Sequence, residues 1–221
     1  MKKIFLDKGH GGTDPGAQGN GLVEKDINYL IGEHTKWYLN KYYSGFQLME
    51  SRPGNETVFL QERTDMANAW GADVFLSIHV NSGGGTGFES FIYNGTVTNE
   101  DIALQNIAHA EILSTMNNYG FIRDRGKKVA NFHVLRESRM PAVLTENLFI
   151  DDVNDAAKLK DKDGFLQDVG HAHARALAQF LGLPDAKYDI VIGYFPGSQI
   201  DKSFDQAQAA FPNWSMSVKK R

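Results

Sequence analysis

Apolar residues recur along this chain in two rhythms, short unbroken runs and helical stripes. The run Lys3 to Leu6 predicts a strand, and it empties into the glycine-rich loop GHGGTDPGAQGNG. From Glu24 to about Tyr43, Ile27, Leu30, Ile31, Tyr38 and Leu39 fall at helical spacing and predict a first helix. A strand is expected around Phe46 to Glu50, then a turn at SRPGNETV, then a second helix carrying Leu60, Arg63, Ala67 and Trp70 and capped by Gly71. The run VFLSIHVN, Val74 to Asn81, is apolar until His79, as expected of a strand buried on both faces at the centre of a sheet. GFESFIYN, Gly87 to Asn94, predicts a strand beside it, and helix returns from about Glu100 to Asn118. Phe121 to Val134 is basic and reads as a loop, PAVLTENLF as another buried strand with Glu146 near its end. A long helix from Gly164 to Leu181 stops at Gly182, Leu183 and Pro184.

Strands alternating with helices imply an α/β domain whose ligands bind beyond the C-terminal ends of strands. The expected catalytic domain spans 1–183. After Pro184 the pattern changes to strand-like YDIVIGYF, helix-like SFDQAQAAF and strand-like NWSMSVKK. Residues 184–221 thus read as a small βαβ-like appendage, too short to be comfortable alone, with wall binding or self-association as its expected role.

Composition narrows the function. A net charge of -4 argues against a general nucleic-acid binder, whose affinity comes from neutralising phosphates. The absence of cysteine leaves His, Asp and Glu as the only ordinary metal ligands. No run is long enough to insert in a membrane, and the apolar stretch after Lys2 and Lys3 is too short for a signal peptide. The reading is synthesis in the cytoplasm, with any work on the wall following release.

Four residues carry candidate chemistry: His10, Glu24, His79 and Glu146. Two imidazoles and a carboxylate are a ligand set that zinc accepts, and a separate glutamate is the base that zinc-assisted hydrolysis needs. Each residue also has an ordinary reading. His10 could be a surface residue of a glycine loop, Glu24 a helix-start acid, His79 a satisfied core histidine, and Glu146 the partner of an internal arginine. Arg63 is expected in an internal ion pair. His34, His109, His133, His171 and His173 read as structural or surface residues. The basic run Arg123 to Lys128 reads as a solvated loop, or more sharply as a groove for a peptide's carboxylates. HGG alone suggests no lipase-type site, since the chain has no Gly-x-Ser-x-Gly turn.

In order, LDKGHGGTDPGA with EKDIN, SIHVNS and MPAVLTENLF resemble the landmarks of zinc-dependent N-acetylmuramoyl-L-alanine amidases, the cell-wall amidases of autolysins and phage endolysins. The resemblance covers roughly Lys2 to Leu183. It implies a twisted, mostly parallel sheet flanked by helices on both faces. It also implies zinc on His10, Glu24 and His79, with Glu146 catalytic. The substrate would be peptidoglycan, cut at the amide between the lactyl group of muramic acid and L-alanine, in the manner of a phage or prophage endolysin. The rival expectations are a zinc exopeptidase of carboxypeptidase type and a non-catalytic wall-binding protein. Two departures stand out: Lys8 where the family commonly has proline, and NLFIDDVND where it often has a Gly-Phe-x-x-Asn-like stretch. Glu89 is a rival carboxylate, read as a structural or supporting group.

Overall fold

Lys2 to Lys8 form the first strand, β1, because Ile4, Phe5 and Leu6 can be buried on two faces at once. The short hairpin β2 (Gln18–Gly19) and β3 (Leu22–Val23) follows, then α1 (Glu24–Tyr42), β4 (Phe46–Glu50), α2 (Leu60–Trp70) and β5 (Val74–Asn81). After these come β6 (Phe88–Tyr93), α3 (Asn99–Met116), β7 (Asp124–Ala130), α4 (His133–Arg136), β8 (Ala142–Phe149), α5 (Val153–Leu159) and α6 (Phe165–Leu181). This computed structural model describes residues 1–187. The chain divides into a compact unit, Met1–Ala186, and a remainder, Lys187–Arg221. The expected βαβ-like appendage therefore lies almost wholly outside the described residues.

The main sheet has the order β4-β1-β5-β8-β6-β7. β4, β1, β5 and β8 are mutually parallel, while β6 is antiparallel to β8 and parallel to β7. Alternate side chains feed two cores. Ile4, Leu6, Val74, Leu76 and Val143 meet α1, α3 and α6, whereas Phe5, Phe75, Ala142 and Leu144 meet α2 and α4. The expected α/β class, mostly parallel sheet and helices on both faces are those observed. Gly71 and Gly182 end α2 and α6 in the left-handed conformation.

Two expectations change. The strand after Gly87 does not lie beside β5, because β8 returns from the far end of the sequence and inserts between them. The basic segment after Phe121 is not a loop throughout: Asp124–Ala130 is the edge strand β7, with Lys127 and Lys128 in register with Ser90 and Phe91. Its charge hides the strand in the sequence, and charged residues are what keep a sheet edge from pairing with other chains. The short α4, α5 and β2-β3 hairpin carry too few residues for periodicity to show. Among the described residues no helix is long and apolar enough to cross a membrane.

Candidate metal centre and active site

β1 delivers the chain to the sheet's carboxyl edge, where Gly9 and His10 make a sharp exit. His10 has φ 60°, a left-handed conformation that costs a non-glycine residue energy and must be held by its surroundings. Holding is provided from below: Arg63 Nη2 donates to the His10 carbonyl at 2.8 Å, and Arg52 Nε and Nη2 donate to the carbonyls of Lys8 and Gly9 at 2.9 and 3.2 Å. On the ring, Nδ1 meets Asp14 Oδ2 at 2.8 Å, which turns Nε2 toward Glu24 Oε2 at 3.2 Å.

Glu24 opens α1, but its carboxylate does not cap that helix. Oε2 accepts from Ala17 N at 2.8 Å, while Oε1 accepts from Val80 N at 3.1 Å and faces His79 Nδ1 at 3.0 Å. Burial disfavours its charge, yet the hydrogen bonds and charges of His10 and His79 outweigh that and hold its carboxyl far below the usual range. Burial likewise lowers the His10 pKa, and Glu24 and Asp14 more than reverse it. One donor atom from each of His10, Glu24 and His79 lies within 4.8 Å of the others. Two imidazole nitrogens and a carboxylate oxygen, with no lysine or arginine bonded to them among the described residues, form a donor set that fits a zinc-type ion.

Glu146 lies beside this cluster. It is in register with His79 across β5-β8 and with Glu89 across β8-β6, so the three side chains share one sheet face. Its Oε2 is buried with no hydrogen-bond partner among the described residues. Burial, then the charges of Glu24 and Glu89, raise its pKa well above that of an ordinary glutamate. Among the described residues no arginine pairs with it; Arg125 bonds Glu89 through Nε instead, and Arg63 pairs with Asp7 at 2.6 Å as expected. The next residue, Asn147, donates to the His79 carbonyl at 2.9 Å, and Leu148 then turns left-handed at φ 70°. Matching Phe149 to the family's phenylalanine places Leu148 at the usual glycine.

Two glycines of the first loop lie against the clustered side chains. A Cβ on Gly9 would sit 2.4 Å from the His79 ring, and one on Gly16 would sit 2.6 Å from both Glu24 Oε2 and His10 Cδ2. They make room for the side chains of the candidate metal centre. Lys8, the departure from proline, is wholly buried, with its stem against Gly32 and its ammonium on Glu33 at 2.5 Å and on Glu50. Its charge is neutralised away from the ligands. The remaining histidines do not converge on a metal. His109 bridges Ser90 and Asp124, His173 is buried under β8, and His34 and His171 meet edge to face. Sequence reasoning gave Asp14 no role and missed the grip of Arg52 and Arg63 on the loop. The spacing from His10 to Asp14 was the available signal for the first; nothing local signalled the second.

A sequence model of N-acetylmuramoyl-L-alanine amidases matches residues 4–179. A sporulation-specific N-acetylmuramoyl-L-alanine amidase of Bacillus subtilis (strain 168) is 50% identical over 199 residues, 88% of this chain and 76% of the relative. The endolysin of Bacillus phage SPP1 is 44% identical over 184 residues, 82% of this chain and 67% of its own. Among solved structures, the catalytic domain of the amidase CwlV from Bacillus (Paenibacillus) polymyxa var. colistinus superposes with a TM-score of 0.76 at 29% identity, covering 83% of this chain and 100% of that one. Sequence and fold thus agree, and the chain belongs to the N-acetylmuramoyl-L-alanine amidase family of peptidoglycan hydrolases.

Proposed function

We propose that His10, Glu24 and His79 hold a zinc ion and that Glu146 is the general base in hydrolysis of the amide joining muramic acid to L-alanine. The observation that carries this is the convergence of three donor atoms within 4.8 Å beside a buried carboxylate oxygen that has no partner among the described residues. Zinc bound there supplies Lewis-acid polarisation of the scissile carbonyl and acidifies water. Glu146, fixed by the strand beneath it, takes the proton of the attacking water as the new C–O bond forms. It returns that proton to the alanine nitrogen as the C–N bond breaks, leaving a lactyl carboxylate and a free amino terminus. Asp14 orients His10 so that the Nε2 lone pair faces the other donors.

Two biological settings have support. The endolysin relative favours host lysis after release to the wall, and the sporulation-specific relative favours action on the producing cell's own wall. We propose the first; expression on prophage induction supports it, and expression confined to sporulation supports the second. Family membership favours the amidase over the exopeptidase and the non-catalytic binder. The deciding experiment digests purified peptidoglycan with wild type and Glu146→Gln. Wild type should free alanine amino termini without new reducing sugars, and the variant should be about a hundredfold to ten-thousandfold slower with its zinc retained. His10→Ala and His79→Ala should lose zinc on dialysis. Release of amino acids from stem-peptide carboxyl ends would sink the reading.

A further inference from the structure

The basic residues of β7 run along the outer edge of the sheet, but two of them turn inward. Arg125 Nε donates to Glu89 Oε2 at 2.9 Å, and Lys128 Nζ bonds the same oxygen. Glu89 Oε1 is taken by Asn81 Nδ2 at 2.6 Å. Since Glu89 stands opposite Glu146 in the β6-β8 register, this cluster occupies the face that carries Glu146 and His79.

One cation would neutralise Glu89, and two are present, so the cluster keeps a formal excess of one positive charge. The side chains of Arg125 and Lys128 are 25% and 38% exposed, whereas that of Glu89 is 4% exposed. Arg125 spends only Nε on Glu89; its two terminal amino groups make no hydrogen bond among the described residues. The guanidinium also lies over the Phe149 ring, 4.7 Å from its centroid, which fixes its plane. A planar fork, held from behind and with both outer donors open, is the arrangement that grips a carboxylate through two parallel bonds.

We infer that Arg125, assisted by Lys128, binds a carboxylate of the stem peptide and so sets specificity for the residue after the alanine. The inference rests on the amidase reading. Its reach is consistent with that chemistry. The α-carboxyl of the second stem residue lies roughly 7 Å from the scissile carbonyl, about two Cα spacings. From β8 to β7 is about 10 Å, two strand spacings, and Arg125 reaches back from β7 toward Glu89.

The test uses the full-length, zinc-loaded chain and two muramyl tripeptides that differ only in the α-carboxyl of the second residue, free in one and a carboxamide in the other. Wild type should prefer the free acid by about 10-fold to 100-fold in kcat/KM, carried by KM. Arg125→Gln should abolish the preference, and Arg125→Lys should keep part of it. Both substrates are compared on one preparation, so any loss of folded protein cancels in the ratio. Lys128→Gln, which leaves the Arg125–Glu89 pair in place, should narrow it. No preference in wild type, or a preference undiminished in both glutamine variants, overturns the inference. If neither tripeptide is cleaved, the amidase reading is what fails; calorimetric titration of the same two peptides then still scores the carboxylate preference.

Discussion

Arg63 shows how much of the proposed metal site is decided by a residue outside the ligand set. Its side chain is 4% exposed and that of Asp7 1%, and the two pair at 2.6 Å. Burial works against the charge on Asp7, but Arg63 and then Ser77 outweigh it and keep the carboxyl below its ordinary range. The same guanidinium holds the carbonyls of Lys8 and His10, at 2.9 and 2.8 Å, fixing the strained turn that aims the first imidazole. Arg63→Lys keeps a charge beside Asp7 but cannot fork to both carbonyls. Zinc affinity measured by chelator competition should fall about 10-fold to 100-fold, the usual effect of removing a group that orients a ligand. Arg63→Met strands Asp7 as well and should cost about 3 to 5 kcal/mol of zinc-free stability in denaturant titration. Unchanged zinc affinity in the lysine variant would refute the orienting role.

At the scale of elements, the packing of α1 on α6 depends on a missing side chain. α1 and α6 pack together on one face of the sheet, and a Cβ on Gly170 would lie 2.5 Å from His34 Cβ and 2.8 Å from the Ile31 carbonyl. Helix propensity alone predicts that Gly170→Ala gains about 1 kcal/mol. The clash with backbone is the larger effect, overpacking costing about 1 to 3 kcal/mol, so the variant should unfold at lower denaturant than wild type. A higher midpoint would mean that α1 and α6 separate easily. Elements of this kind were legible in the sequence where periodicity was long: α1, α3, α6 and the buried β1, β5 and β8 lie close to where the apolar pattern put them. The strand β7 was not, because its pattern is charged rather than apolar, and the insertion of β8 beside β5 was not, because strand order is a long-range property. In the site, His10, Glu24, His79 and Glu146 could be singled out because each ends a strand or opens a helix. Asp14 left only its four-residue spacing from His10 as a signal, and Arg52 left none, since a buried arginine looks like any other until the fold brings it under the loop.

For the whole molecule, the two faces of the sheet do different work. α1, α3 and α6 close one face completely, while α2 and α4 cover only part of the other and leave its carboxyl edge to His79, Glu146 and Glu89. Stability therefore resides largely in the closed face, and one buried group there makes it sensitive to acid. His173 of α6 is fully buried there: Nδ1 donates to the Val169 carbonyl at 2.8 Å, leaving Nε2 to accept from Thr145 Oγ1 at 2.9 Å. Burial pushes its pKa down to about 4 from the model-peptide value of 6.5, so the folded protein keeps it neutral. Between these two values the unfolded chain binds the proton and the folded one does not, so stability is complete above pH 6.5 and declines as the pH falls toward 4. The full effect of that gap is on the order of 3 kcal/mol. Wild type compared at pH 7.5 and pH 4.5 by guanidinium unfolding should lose most of this amount beyond what His173→Gln loses over the same interval. Parallel losses in the two proteins would assign the acid sensitivity to groups outside the closed face.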